Sequence, residues 1–589
     1  MDRAVTPSRS LSEFEGTFRT FLDELFEVDP VFATGTGEHS HDGAWPDLSD
    51  VGRTSRLAFV ARWLETFEGQ ADLSAGDAID RDLVMGELEA MRFADQTLRE
   101  AAWDPMTWVY LLGDGLFGLL AREFAPLGVR LASVAARLET MPAVLASARS
   151  VIVGVDGRPV GRLQTETAIA QLPGIEELMA DALGQAAAAA DDPAVLAVTP
   201  RLTAAAASAR EALAAFEVHL RDVVLPASEG DGRLGPDLFA EKMRHAMRSD
   251  ELTPARILAE AEATFAAVRA EMVRLARDLW PAWRPGETLP TEDEAIVRGV
   301  LDAIAREHPR AEDKLDYCRA ETARIETFCR ERDLIGLGDE PLTIQWTPVF
   351  LRPFANAMLI APGALEQGLE TFFAITPLPD DWSEEQRESA LREDNDRLLR
   401  LITIHEAVPG HYLQGAYANR CPSLPRAVFA SSVFAEGWAV YVTQVMMDVG
   451  YGADDPALLL SHWKYFLRAA INAILDARIH CDAMTQDEAM ELMVAGGFQE
   501  LSEATAKFDR ARLSSTQLST YFAGSMELWA IELDARRRAA GDATLRARDL
   551  PGGFGDTAGF SYREHLERVL DHGCPPTALL KRMLVSSGG

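Results

Sequence analysis

The sequence predicts a mainly α-helical protein, and three observations carry that expectation. Apolar residues recur at intervals of three and four through residues 8–28, 51–70, 116–153, 252–279 and 292–332, the spacing of one helix face. The alanine-rich run LGQAAAAADDPAVLAVTPRLTAAAASAREALAAFEVHL combines high helix propensity with Leu and Phe at intervals, which favours closely packed helices over a linker. One region, residues 340–382, departs from this pattern with short apolar and aromatic runs punctuated by proline and glycine.

Taken in order, the first elements are the helices of those periodic runs. Pro193 and Pro200 mark a turn between two helices. Residues 342–351, 356–361 and 371–376 then predict three strands of a small antiparallel sheet. An exposed sheet edge beside a groove can hold an extended peptide by main-chain hydrogen bonds, although a sheet that merely covers the helices fits the sequence equally well. After it, EQRESALREDNDRLLRLITI places charges and leucines at helical spacing, so His405 and Glu406 are expected well inside a long helix. No fixed-period repeat and no long Gly/Ser or charged linker interrupts the chain. Residues 1–589 therefore read as one large domain: a helical N-terminal half to about 335, a β insertion at about 340–378 and a C-terminal half at about 380–589.

Composition narrows the function. A chain of 589 residues, 48% apolar and 25% charged, is long enough for a large core and globular in balance. No stretch approaches the ~18 uninterrupted apolar residues of a membrane span, and MDRAVTPSRSLSEFEG lacks the layout of a secretion signal, so a soluble, cytoplasmic protein without a membrane partner is expected. The cysteines at 318, 329, 421, 481 and 574 are odd in number and show no Cys-x-x-Cys spacing, which argues against a disulfide framework or a thiolate zinc site. A formal charge of −35 with no basic patch argues against nucleic acid as a partner. Whether the protein forms a homodimer stays open.

The chemistry concentrates in TIHEAVPGHYLQ, residues 403–414. Helical residues four apart differ by about 40° and can grip one ion, whereas residues six apart, as His405 and His411 are, differ by about 240° and cannot. Pro409 and Gly410 supply the means of repair: proline removes a backbone donor and strains the preceding turn, and glycine tolerates positive φ, so the chain can bulge or break and swing His411 back toward His405. A catalytic zinc takes three protein ligands and keeps one position open, and Glu406 beside the first histidine suits a general base. The third ligand is expected from SSVFAEGWAVYVTQVMMDV, where Glu436 stands in an apolar stretch. Burying it unpaired would cost about 3 to 5 kcal/mol, so a metal or another cation explains it, the alternatives being a water-filled pocket or an arginine.

HEAVPGHYLQ followed by AEGWAVY resembles the large, mostly bacterial family catalogued as domain of unknown function 885, regarded as zinc metallopeptidase-like and related to helical oligopeptidases and carboxypeptidases. PVFATGTGEHSHDG, RLETMPAVLASARSVI, LTPARILAEAEATF and STQLSTYFAGSMELW resemble that family's recurrent segments over nearly the whole chain. The resemblance implies a large helical zincin-like fold with a deep cleft, zinc held by His405, His411 and Glu436, and Glu406 as base. Many zinc peptidases with a glutamate ligand carry an aspartate four residues later to orient the first histidine, and Val440 stands there instead.

Further residues are drawn toward this site. Asp476 and His480 lie four apart in HWKYFLRAAINAILDARIHCDAM, with Arg468 two turns earlier. His480 could donate to an oxyanion and Arg468 could hold a substrate carboxylate, or the set could be an ordinary interhelical ion pair. The resemblance also implies a C-terminal tyrosine that stabilises the transition state, for which Tyr521 in STYFAG is the candidate, although an aromatic at helical spacing also suits a core. His39 and His41 read as a polar loop rather than a second metal site. The expected function is a zinc-dependent hydrolase of short peptides. A zinc hydrolase of a small non-peptide amide and a metal-holding scaffold without turnover are the rival readings.

Overall fold

The computed structural model describes residues 12–586 apart from 349–351, 353–356, 367, 548–549 and 554–556. The first periodic run forms the helix Glu13–Val28, started by a capping box in which Ser12 Oγ accepts from the Glu15 amide at 3.1 Å and the Glu15 carboxylate accepts from the Ser12 amide at 2.7 Å. Residues 8–11 of that run lie outside the described residues. The run at 51–70 forms Asp50–Glu68, and that at 252–279 forms Pro254–Trp283. The other two runs each divide, into Met106–Leu120 and Leu127–Val151 and into Asp293–Ile304 and Lys314–Glu331.

The alanine-rich run is a pair of helices, Arg162–Ala188 and Pro193–His219. Pro193 occupies a first-turn position, where a missing N–H costs nothing. Pro200 departs from expectation by lying inside the second helix. It sits on the exposed face, four residues after the exposed Leu196, where water can take the carbonyl its missing N–H leaves free. Val195, Val198, Leu202 and Ala209 bury the opposite face.

The three strands are β1 (Leu342–Trp346), β2 (Ala357–Ile360) and β3 (Thr371–Ile375), in the order β1-β3-β2. The expected ends at 349–351 and 356 lie outside the described residues. The sheet is mixed, which corrects the antiparallel expectation: β2 pairs antiparallel with β3, Ala357 opposite Ile375, but β1 pairs parallel with it, Leu342 opposite Thr371. Two successive reversals bring β3 into the direction of β1, and its insertion between the other two makes it the partner of both. Ile344, Phe373 and Ile375 pack with Leu315 and Cys318 of the helix Lys314–Glu331 and with Leu399 and Ala407, which seats the sheet against the histidine motif.

The cores cross the expected boundary near residue 335. Met272 and Ile296 share a cluster with Ile471 and Phe522, and an aromatic group of Phe14, Phe18, Phe21, Trp63 and Phe67 packs with Phe429. Beneath the motif, Ile404, Val408, Leu413, Phe434, Trp438 and Val442 form a further core. No helix among the described residues is long and apolar enough to cross a membrane.

Candidate metal centre

The helix expected to run on through His405 is two helices, Glu384–Glu393 and Asp396–Glu406. Asn395 divides them, its Oδ1 accepting from the amides of Arg397 at 3.1 Å and Leu398 at 3.2 Å. His405 and Glu406 are thus the last residues of a short helix, not interior residues of a long one. Pro409 bars its continuation, and a new helix, His411–Arg420, starts directly after Gly410. The Val408–Pro409 peptide is cis.

Two contacts hold this break in place. Gly410 lies so close to the end of the first helix that a Cβ there would run into the carbonyl oxygens of Ile404 and His405, which explains why glycine occupies the position. The indole of Trp438 donates to the Pro409 carbonyl at 2.9 Å, tying the break to the helix Ser432–Asp448 that carries Glu436. Restarted in this way, the chain brings the His405 and His411 rings to a centroid distance of 4.8 Å at 88°.

Glu436 completes the group. Its Oε2 lies 3.7 Å from His405 Nε2 and 3.5 Å from His411 Nε2, and the three ligand atoms lie within 4.8 Å of one another. Donors of a tetrahedral zinc, with bonds near 2.1 Å, stand roughly 3.3 to 3.5 Å apart, and the two histidine–glutamate separations are close to that. The side chains are 6%, 16% and 21% exposed for His405, His411 and Glu436, mostly buried yet reachable. Glu436 Oε2, the oxygen facing both imidazoles, is buried without a hydrogen-bond partner among the described residues. Burial works against its charge, but the two histidines outweigh it and hold the carboxyl well below the usual range. For His411 burial works downward, and Glu436 and then Glu406 overcome it to push its pKa up.

Glu406 is half-buried, with no hydrogen bond or ion pair among the described residues, and its charge bears on both His411 and Tyr465. Among the described residues no carboxylate replaces the missing aspartate: Val440 belongs to the core, and His405 Nδ1 is buried without a hydrogen-bond partner.

The helix Gln517–Ala540 crosses the glutamate helix where Gly437 and Gly524 meet, with backbone against backbone in the space side chains would need. That approach sets Tyr521, one turn before Gly524, beside Glu436. The Tyr521 hydroxyl accepts from Gln517 Nε2 at 3.1 Å and from Arg510 at 3.4 Å, which leaves its own proton to donate. Burial, followed by the charge of Glu436, pushes this phenol up to about 12.

Other expected site residues stand elsewhere. His480 is a core residue: its ring stacks on Phe239, Nε2 lies 3.0 Å from the Ala511 carbonyl, and Nδ1 accepts from the Leu234 amide at 3.2 Å. Both nitrogens are occupied, and the residue lies fifteen positions beyond Tyr465 on the helix Pro456–Cys481, about 22 Å along its axis. Asp476 accepts from the amides of Thr516 at 3.0 Å and Ser519 at 3.1 Å at the start of the tyrosine helix. Arg468 is already paired with Glu393 at 3.3 Å and with Glu503, so its role as a substrate clamp is corrected. His39 bridges Asp42 at 3.0 Å and Glu366 at 3.3 Å while stacking on Phe124, a pin between distant segments.

The sequence reading missed Tyr465. Its ring meets His405 edge to face at 5.9 Å, and Glu406, Tyr521 and Glu436 all bear on its phenol, which burial chiefly drives upward. The available signal was its position three residues before Arg468, on the same helix face.

Fold and site together define a mainly helical protein with a two-histidine, one-glutamate group able to hold a metal. The chain belongs to the family described as "Bacterial protein of unknown function (DUF885)", which matches residues 30–584. Among solved structures it is similar to a candidate lipoprotein of unknown function from Shewanella oneidensis, with 28% identity and a TM-score of 0.79 over 98% of this chain and 100% of that one. It also shares the fold of a candidate lipoprotein from Colwellia psychrerythraea, with 15% identity and a TM-score of 0.78 over 98% and 99% of the two chains. No curated protein matches at a significant level.

Proposed function

We propose that the protein is a zinc-dependent hydrolase of short peptides. The observation that carries the reading is an unpaired carboxylate, Glu406, beside His405, His411 and Glu436, whose donor atoms lie within 4.8 Å of one another. Two carboxylates beside two imidazoles make a donor set whose negative charge a divalent cation neutralises. Zinc held by these three residues would polarise a peptide carbonyl and acidify the attacking water.

The chain's own residues supply the rest. Glu406 takes the proton of the attacking water and passes it to the leaving amine. Tyr521, kept protonated by its raised pKa and with its hydroxyl proton uncommitted, donates to the developing oxyanion, and Tyr465 is placed to assist. β2 is an edge strand whose Ala357 and Leu359 pack in the same cluster as Leu399 and Ala407 of the motif region. An extended substrate can add to its free edge, one end of which is closed by Arg122 donating to the Ile360 carbonyl at 2.6 Å. A cytoplasmic location belongs to this proposal and is supported by five unpaired cysteines, while the two solved relatives are described as candidate lipoproteins.

The test is a defined mixture of short synthetic peptides incubated with the metal-loaded protein and read by mass spectrometry. Cleavage that a chelator stops and added zinc restores is expected. Bound metal with every peptide left intact would overturn the peptidase reading.

A further inference from the structure

We infer that the substrate is anchored by a free C-terminal carboxylate held at Arg510, so that the protein trims short fragments from the C-terminal end of peptides. This rests on the hydrolase reading and deepens it.

The cations near the site differ in how they are engaged. Arg468 is bound to Glu393 and Glu503, Lys464 lies 3.0 Å from Glu393, and Lys507 lies 3.4 Å from Glu503 and 2.9 Å from Gln499 Oε1. Their charge is spent inside the protein. Arg510, three residues after Lys507 on the helix Leu501–Leu513, is exposed and has no carboxylate within ion-pair distance among the described residues. Its described contacts are to neutral groups and run through one nitrogen, Nη2, to Gln517 Oε1 at 2.9 Å and to the Tyr521 hydroxyl at 3.4 Å. Nε and Nη1 make no hydrogen bond among the described residues, and either can donate a charge-assisted hydrogen bond to a carboxylate.

Position makes this cation useful. Tyr521 links it to the metal group: Arg510 reaches its hydroxyl at 3.4 Å, and its helix crosses that of Glu436 where Gly524 meets Gly437. A carboxylate at Arg510 therefore leaves only a short length of chain, at about 3.3 to 3.6 Å per residue, before the bond to be cut. In a protein of formal charge −35, an unneutralised arginine is a local exception that draws in an anionic chain end.

The test is calorimetric binding of a tripeptide as its free acid and as its C-terminal amide to zinc-loaded Glu406→Gln protein, alone and combined with Arg510→Gln or Arg510→Lys. The free acid is expected to bind at least about tenfold tighter than the amide, as for a charge-assisted hydrogen bond. Arg510→Gln should erase that preference and Arg510→Lys should restore part of it, the circular dichroism of all variants being the same. Equal binding of acid and amide, or a preference that survives Arg510→Gln, overturns the anchor, as does a metal-loaded protein that binds neither peptide. Metal content measured on the same samples separates this from failure of the hydrolase reading, since a protein without metal fails at the earlier step and takes the anchor with it.

Discussion

Replacing Glu406 by glutamine is expected to leave the fold and the metal content intact while lowering turnover at least ~100-fold, the scale of a lost general base. The structure gives the reason for both halves of this result. Glu406 makes no hydrogen bond or ion pair among the described residues, so its charge carries no structural load that glutamine would drop. The carboxylate in contact with the histidines is that of Glu436, so the ligand set is unchanged. What glutamine cannot do is accept a proton. Steady-state kinetics on the best-cleaved peptide, together with metal analysis of the same sample, would check it, and turnover within a few-fold of the parent would remove Glu406 from the mechanism.

Gly410→Ala is the second substitution with a large expected effect. Its Cβ would meet main-chain carbonyl oxygens of Ile404 and His405, which cannot rotate away as a flexible side chain can. Overpacking against backbone should cost about 3 kcal/mol, the upper part of the usual range. The relief available is to open the break, and opening it moves His411 away from His405 and strains the Trp438 bond to the Pro409 carbonyl. Thermal unfolding should therefore occur at a lower temperature, with zinc affinity reduced in parallel. An alanine variant with parental stability and parental zinc affinity would show that the tight break does not set the ligand geometry.

The sequence conveyed the helical architecture well because burial of one helix face leaves a periodic trace, as in Phe14, Phe18, Phe21 and Leu25 of the first helix. It conveyed the histidine break because six-residue spacing cannot serve one ion unless the helix ends, and the Pro409–Gly410 pair marks where it does. Other features depend on information that pattern does not carry. Pro200 is tolerated within a helix because the carbonyl it orphans is on an exposed face. The parallel pairing of β1 with β3 follows from strand order, which short apolar runs do not encode. His480 and Arg468 have the residue types of a site, but Phe239, the Ala511 carbonyl, Glu393 and Glu503 engage them, and those partners are distant in sequence. Tyr465 and Arg510 stand out for the converse reason: an aromatic and a surface arginine on helices look ordinary until the crossing at Gly437 and Gly524 brings the helix of Tyr521, whose hydroxyl Arg510 reaches, against that of Glu436.

Family membership supplies no activity here, since the family is described as of unknown function. The weight of the functional account rests on the ligand geometry. The most direct measurement is elemental mass spectrometry of the purified protein beside His405→Ala and Glu436→Ala. The account predicts near one zinc per chain in the parent and its loss from both variants while they remain folded. A parent protein that holds no metal and takes up none when zinc is supplied would contradict it, and would leave the meeting of His405, His411 and Glu436 as a buried polar cluster without catalytic meaning.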